Sequence, residues 1–223
     1  MNKVYDEPSP VHDIIVSYVR PGTRVLDVGC ATGQLSRRLV EELGCSAVGV
    51  EMCAGAAKQA QQWCEKVVVG DISSEGLWSA LDGPFDYVLM ADVLEHLPSP
   101  EKVLRKSLDW LRKDGRAIVA VPNVAHWSIR RNLLLGRWDY EPRGIMDDTH
   151  LRFYTRATLA RLIEESGYRV ESMSAVYLGP GEALVVRFGL PCSRCFLALD
   201  SIWIRAFPCP CAHQFIAKCA PAD

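Results

Sequence analysis

No apolar run in the 223 residues is long enough to cross a bilayer. The first residues, Met1-Asn2-Lys3-Val4-Tyr5-Asp6-Glu7, are polar, with no apolar region behind them. Neither a membrane-spanning segment nor an export signal is therefore expected. Charge of one sign is also missing: the net value of −2 gives no reason to expect nucleic acid or an anionic membrane as partner. Repeats, low-complexity blocks and linkers are absent, so residues 1–223 are expected to form one domain, large enough to bury a real core. Nine cysteines, an odd number, without an export signal point to reduced thiols and a cytoplasmic protein. Neither a monomer nor a homodimer is excluded.

What is present is an alternation of strands and helices. Ser9-Pro10 and apolar Val11, Ile14, Ile15 and Tyr18 predict a capped first helix. Strands are predicted at 25–28, 46–50, 67–69, 85–90 and 117–121, that at 46–50 buried, with helices at 35–43, 54–63 and from Pro100 to a stop at Asp114-Gly115. Thr155 caps a helix through Leu159, Leu162 and Ile163. Strands follow at 168–178 and 212–219, with Gly179-Pro180-Gly181 as a turn and an amphipathic helix over 196–207. Short strands alternating with helices mean an α/β fold: a doubly wound, mostly parallel seven-stranded sheet. The segment 124–150 breaks the alternation. It is rich in arginine and aromatics, with Ile129, Leu133 and Leu134 set to line a helix face, and reads as an insertion over the ligand end of the sheet.

The organising stretch is Val25-Leu26-Asp27-Val28-Gly29-Cys30-Ala31-Thr32-Gly33-Gln34-Leu35. A strand, a turn of small residues and a helix let a ligand approach bare backbone at a helix N-terminus. A dinucleotide fingerprint would need a small residue where Gln34 stands, and Asp27 adds a carboxylate that suits a ligand bearing positive charge. The stretch resembles motif I of the class I S-adenosylmethionine-dependent methyltransferases, acidic-x-Gly-x-Gly/Ala-x-Gly. Glu51, about twenty residues on at the end of the second strand, suits ribose hydroxyls, and Asp71-Ile72 ends the third strand. The resemblance extends through Val121, with the post-fourth-strand segment Ala91 to Leu97 similar to that of the ubiquinone-biosynthesis O-methyltransferases. The segment Asp147 to Thr155 resembles methyltransferases of sugar and cell-surface pathways.

The resemblance implies S-adenosyl-L-methionine as cofactor, converted to S-adenosyl-L-homocysteine. It implies that Asp27, Gly29, Cys30 and Gly33 surround the methionine end, Glu51 holds the ribose, and Asp71 and Ile72 the adenine. Met52 is placed to pack on the base, and Ala91 is a further candidate cofactor contact. The expected reaction is methyl transfer to a small molecule, at oxygen, and the acceptor is anionic or sugar-like. An oxygen acceptor benefits from a base; His150, then His126 and His96, are the candidates. Arg130, Arg143, Arg152 and Tyr154 are candidate acceptor contacts, because a guanidinium fork pairs carboxylate or phosphate. Cys192-x-x-Cys195 and Cys209-x-Cys211 offer four thiolates, but the tight second spacing and apolar surroundings argue against zinc, and no metal is expected. A non-catalytic S-adenosylmethionine-binding module and a nicotinamide enzyme remain as alternatives.

Overall fold

A computed structural model describes residues 9–178 and 202–222. Seven strands form one sheet: β1 (Arg24–Val28), β2 (Ser46–Glu51), β3 (Lys66–Val69), β4 (Phe85–Ala91), β5 (Leu111–Pro122), β6 (Tyr168–Tyr177) and β7 (Ala212–Pro221). Their order is β3-β2-β1-β4-β5-β7-β6. The first five strands run parallel, whereas β7 lies antiparallel between β5 and β6. The helices are α1 (Pro10–Tyr18), α2 (Gln34–Leu43), α3 (Ala54–Ala60), α4 (Glu75–Trp78), α5 (Pro100–Trp110), α6 (Trp127–Leu134), α7 (Arg156–Glu165) and α8 (Pro208–Cys211).

The near-continuous apolar composition of the central strands follows from burial on both faces. On β4, Val88 and Met90 join one core cluster with Val103, Leu104, Leu159 and Ile163. Tyr87 and Leu89 point the opposite way into a second cluster with Ile15, Leu35 and Leu39. All of these side chains are at most a few per cent exposed, each contributing ~1.5–3 kcal/mol of burial. Thr155 caps α7 as expected, in a reciprocal box with Thr158.

Three local expectations are corrected. Helix α5 ends at Trp110, and Leu111 pairs with Phe85, so Asp114-Gly115 falls inside β5. The sheet competes for this segment: after Phe85 the register shifts to pair Tyr87 with Arg116. Helix α3 stops at Ala60, and the carbonyl of Ala60 accepts from the Trp63 and Cys64 amides in a closing turn. Helix α6 buries no residue, and Leu133 and Leu134 are exposed rather than packed. The turn at 179–181 and the first half of the helix expected over 196–207 lie outside the described residues; 202–206 are helical.

Candidate functional site

The C-terminal ends of β1, β2 and β3 open into a cavity of ≈ 790 Å³. Its floor is the turn after β1. The amides of Gly29 and Cys30 both donate to the Val50 carbonyl, at 2.8 and 3.0 Å, tying the turn to β2. Gly29, Ala31 and Gly33 all take left-handed backbone, with φ of 72°, 47° and 83°. A Cβ on Gly29 would meet Val93 Cγ2 at 2.7 Å, and one on Gly33 would meet Ala60 Cα at 2.9 Å. Glycine at these two positions is therefore dictated by both φ and space. Gly33 is also the N-cap of α2, where it places no side chain over the helix N-terminus.

Glu51 closes the cavity on the β2 side. Its Oε2 accepts from the Ala31 amide at 2.9 Å and its Oε1 from the Cys53 amide at 2.7 Å. The two bonds fix the carboxylate plane and leave one lone pair on each oxygen. Met52, 72% exposed, stands beside it on the cavity wall. At the end of β3, Asp71 Oδ1 accepts from the Ser73 amide at 2.8 Å, and Asp71 and buried Ile72 line the next wall. Gly29, Glu51, Met52, Asp71 and Ile72 thus meet in one cavity, joined by Gln34.

Asp27, Cys30, Gly33 and Ala91 do not line it. Asp27 is 2% exposed, and its Oδ2 accepts from Ser36 Oγ at 2.6 Å. Burial raises its pKa to about 6, opposed by the Ser36 hydrogen bond and assisted by the charge of Glu51. Cys30 is buried against Gly49, where a Cβ would sit 2.6 Å from its Sγ.

A second cavity of ≈ 270 Å³ adjoins the first, sharing Asp92 and His96 with it. Its walls include Glu95, Arg143, Asp147, His150, His213 and Gln214. Asp92 holds a left-handed φ of 54° just after β4, and its carboxylate accepts from Gln214 Nε2. Glu95 sits at the 3₁₀ turn Leu94–His96, 1% exposed, with no hydrogen-bond donor to either carboxylate oxygen. Burial, then the facing Asp92 charge, raises the Glu95 pKa well above the carboxylate range; burial likewise lifts Asp92 to about 6. Two carboxyls so placed share a proton rather than both ionising.

His96 and His150 meet edge to face with centroids 4.9 Å apart. His150 Nδ1 lies 3.1 Å from the Ile145 carbonyl and must donate to it, which leaves Nε2 as the basic nitrogen. Glu95, His96 and His150 offer ligand atoms all within 4.8 Å of one another.

The third histidine candidate is corrected. His126 is the N-cap of α6: its Nδ1 accepts from Ser128, its Nε2 donates to the Leu178 carbonyl, and it lines neither cavity. Burial lowers its pKa to about 4. Among the proposed acceptor contacts only Arg143 lines a cavity. Arg130 Nε donates to the Ala125 carbonyl, Arg152 to that of Pro98, and the buried Tyr154 hydroxyl to that of Leu94. Cys192 and Cys195 lie outside the described residues, while Cys209 is exposed and Cys211 buried.

Sequence reasoning missed Asp92, Glu95, His213 and Gln214. Asp92-x-x-Glu95-His96 was the available signal: two carboxylates one turn apart directly after a strand.

A family model described as a methyltransferase domain matches residues 10–173. The ubiquinone biosynthesis O-methyltransferase of Aeromonas salmonicida (strain A449) is 28% identical over 165 residues, covering 71% of this chain and 68% of that protein. The enzyme of the same name from Burkholderia pseudomallei (strain 1710b) is 27% identical over 198 residues, covering 82% and 83%. A SAM-dependent methyltransferase from Archaeoglobus fulgidus shares the fold with a TM-score of 0.62 at 19% identity, covering 94% of both chains. The 1,6-didemethyltoxoflavin-N1-methyltransferase of Burkholderia thailandensis, solved with its acceptor and S-adenosylhomocysteine bound, superposes with a TM-score of 0.60 at 18% identity, covering 96% and 77%. The left-handed glycine turn, the fixed carboxylate of Glu51 and the cavity over β1 to β3 fit S-adenosyl-L-methionine, which is the cofactor. The chain belongs to the methyltransferase-domain family, as an S-adenosylmethionine-dependent methyltransferase.

Proposed function

We propose that the chain methylates a hydroxyl of a small-molecule acceptor seated in the second cavity, with Glu95 as the base. The observation that carries this reading is the buried carboxylate of Glu95, without a donor, in a cavity that shares Asp92 and His96 with the cofactor cavity. With one proton shared between Asp92 and Glu95, the buried pair keeps one carboxylate whose proton affinity burial raises, which suits it to take a proton from an acceptor hydroxyl.

The sulfonium cofactor supplies both the electrophilic methyl and its leaving group. The remaining lone pairs of Glu51 accept from the two ribose hydroxyls, since its backbone bonds already hold the carboxylate in place. Asp71 keeps Oδ2 for an adenine amino group, Ile72 flanks the ring and Met52 packs on its face. Gly29 allows close approach, while Asp27, Cys30 and Gly33 act from beneath, holding the turn. On transfer, Glu95 would take the proton of the acceptor hydroxyl, and the Asp92–Glu95 pair would end neutral. Residues 124–150 serve as the acceptor-binding lid, of which Arg143, Asp147, His150 and the Thr149 edge reach the cavities.

Three carboxylates against one arginine in the second cavity favour a neutral, hydroxyl-rich acceptor, sugar-like or phenolic, over an anionic one. Arg130 and Arg152 are engaged with carbonyls. A second reading keeps the reaction and adds a divalent cation on Glu95, His96 and His150, favoured by their convergence within 4.8 Å. The test is S-adenosylhomocysteine release across a panel of polyols, sugars, phenols and catechols, with and without chelator. Release with hydroxylated acceptors that Glu95→Gln abolishes supports the reading; release only with amines or carboxylates sinks it. Chelator-sensitive release restored by Zn²⁺ or Fe²⁺ selects the second form.

A further inference from the structure

Among the described residues, two segments that leave the cofactor end of the sheet carry apolar side chains that stay exposed. The first is α6 with its continuation: Leu133, Leu134 and Leu135 are 57%, 88% and 62% exposed, and Trp138 is exposed beyond them. The second leads into β7, where Ile202, Trp203 and Phe207 are exposed and the last two rings lie 5.2 Å apart.

These segments start side by side. Pro122 at the end of β5 pairs with Gln214 at the start of β7, and the Asn123 amide donates to the His213 carbonyl. Asn123 Nδ2 donates to the carbonyls of Cys209 and Ala212, and the rings of His126 and His213 are 5.5 Å apart. Leucines and tryptophan of this exposure, gathered at one end of a molecule, mark an interaction surface.

The exposed leucines are flanked by a local excess of arginine. Residues 127–143 carry Arg130, Arg131, Arg137 and Arg143 against Asp139 and Glu141, in a chain whose net charge is −2. Arg131 and Arg137 are exposed, as is Arg205 between Trp203 and Phe207. Basic residues alternating with leucine and tryptophan match an interface in which acyl chains lie beneath anionic headgroups. A second copy fits less well, because a two-fold contact sets the arginine cluster against itself.

We propose that this face docks on an anionic phospholipid bilayer, with Leu133, Leu134, Leu135 and Trp203 entering the headgroup boundary and Arg131 and Arg137 pairing with phosphates. The mode is peripheral, since among the described residues no helix is long and apolar enough to cross a membrane. It revises the expectation drawn from net charge: a local cluster, not the sum over the chain, decides attraction within a Debye length. Docking of this kind brings the lid segment 124–150 to the lipid surface, whatever the acceptor, and its test requires no turnover.

The experiment is co-flotation of the full chain with vesicles of phosphatidylcholine alone or mixed with phosphatidylglycerol. The wild type is expected to float with the mixed vesicles and not with phosphatidylcholine, with binding that weakens as salt rises. Leu133→Ser/Leu134→Ser/Leu135→Ser is expected to lose at least about tenfold in affinity. Arg131→Gln/Arg137→Gln is expected to lose roughly fivefold per charge. All replaced side chains are exposed, and unchanged S-adenosylhomocysteine binding verifies folding. Wild type that stays with neither vesicle, or variants that float as well as wild type, overturns the proposal. So does a wild-type dimer that the leucine variant converts to monomer in sedimentation equilibrium while vesicle binding is absent.

Discussion

Ser36 Oγ donates to Asp27 Oδ2 at 2.6 Å beneath the cofactor turn, where Asp27 is 2% exposed. The bond joins the second-last residue of β1 to the first turn of α2, so a buried acid holds the strand, turn and helix together. Burial outweighs the hydrogen bond and lifts the pKa from 3.8 to about 6.

The raised value has a definite sign. Below pH ~4 the group is protonated in both folded and unfolded chains and its stability contribution is intact; as pH rises through about 6 that contribution is lost, roughly 3 kcal/mol in all. Asp27→Asn keeps an acceptor for Ser36 and removes the ionisation. Urea denaturation from pH 4 to 8 is expected to show a flatter profile for the variant and higher stability than wild type at pH 8. Asp92 and Glu95 titrate alike in both proteins and cancel. Parallel profiles would show that Asp27 does not titrate as a buried acid.

Two glycines separate strain from crowding. Gly22 and Gly29 have similar φ, 70° and 72°, but a Cβ on Gly22 meets nothing within 4 Å, whereas one on Gly29 meets Val93 at 2.7 Å. Gly22→Ala is expected to cost about 1 kcal/mol, and Gly29→Ala a further ~1–3 kcal/mol together with weaker cofactor binding. Equal urea midpoints for the two variants would contradict the crowded turn.

Glu95→Gln separates chemistry from binding. The amide keeps the shape of the side chain and removes a buried carboxyl that has no donor. S-adenosylhomocysteine affinity is expected to stay within about twofold and stability to rise or hold, while kcat falls about 10²–10⁴-fold with an active acceptor. Calorimetry and steady-state kinetics on one preparation check both. An unchanged kcat removes Glu95 as the base.

The part of the site built by successive strand ends was legible in the sequence. Val25 to Val28 and Ala47 to Val50 are runs buried within the parallel sheet and Val67 to Val69 forms its partly exposed edge, and the residues that follow or end them, Gly29, Glu51, Asp71 and Ile72, meet because parallel strands end together. Whether a side chain points into the cavity or under it was not legible. Asp27 is the second-last residue of β1 and Glu51 the last of β2, yet one is held by Ser36 and the other faces the ligand space. The second cavity was hidden for another reason. Gln214 reaches Asp92 across 122 residues through the antiparallel insertion of β7, a pairing that no local pattern encodes. The leucines of α6 follow helical spacing, but spacing does not say whether a partner surface exists within the chain.

Calorimetric titration of S-adenosylhomocysteine into wild type and Glu51→Ala tests the cofactor site most directly. Wild type is expected to bind one equivalent. Glu51→Ala, which loses the acceptor for the ribose as well as those for the Ala31 and Cys53 amides, is expected to bind at least about tenfold more weakly while still unfolding cooperatively. Equal affinity of the two proteins, or no heat with wild type, would contradict the placement of the nucleoside over the ends of β1, β2 and β3.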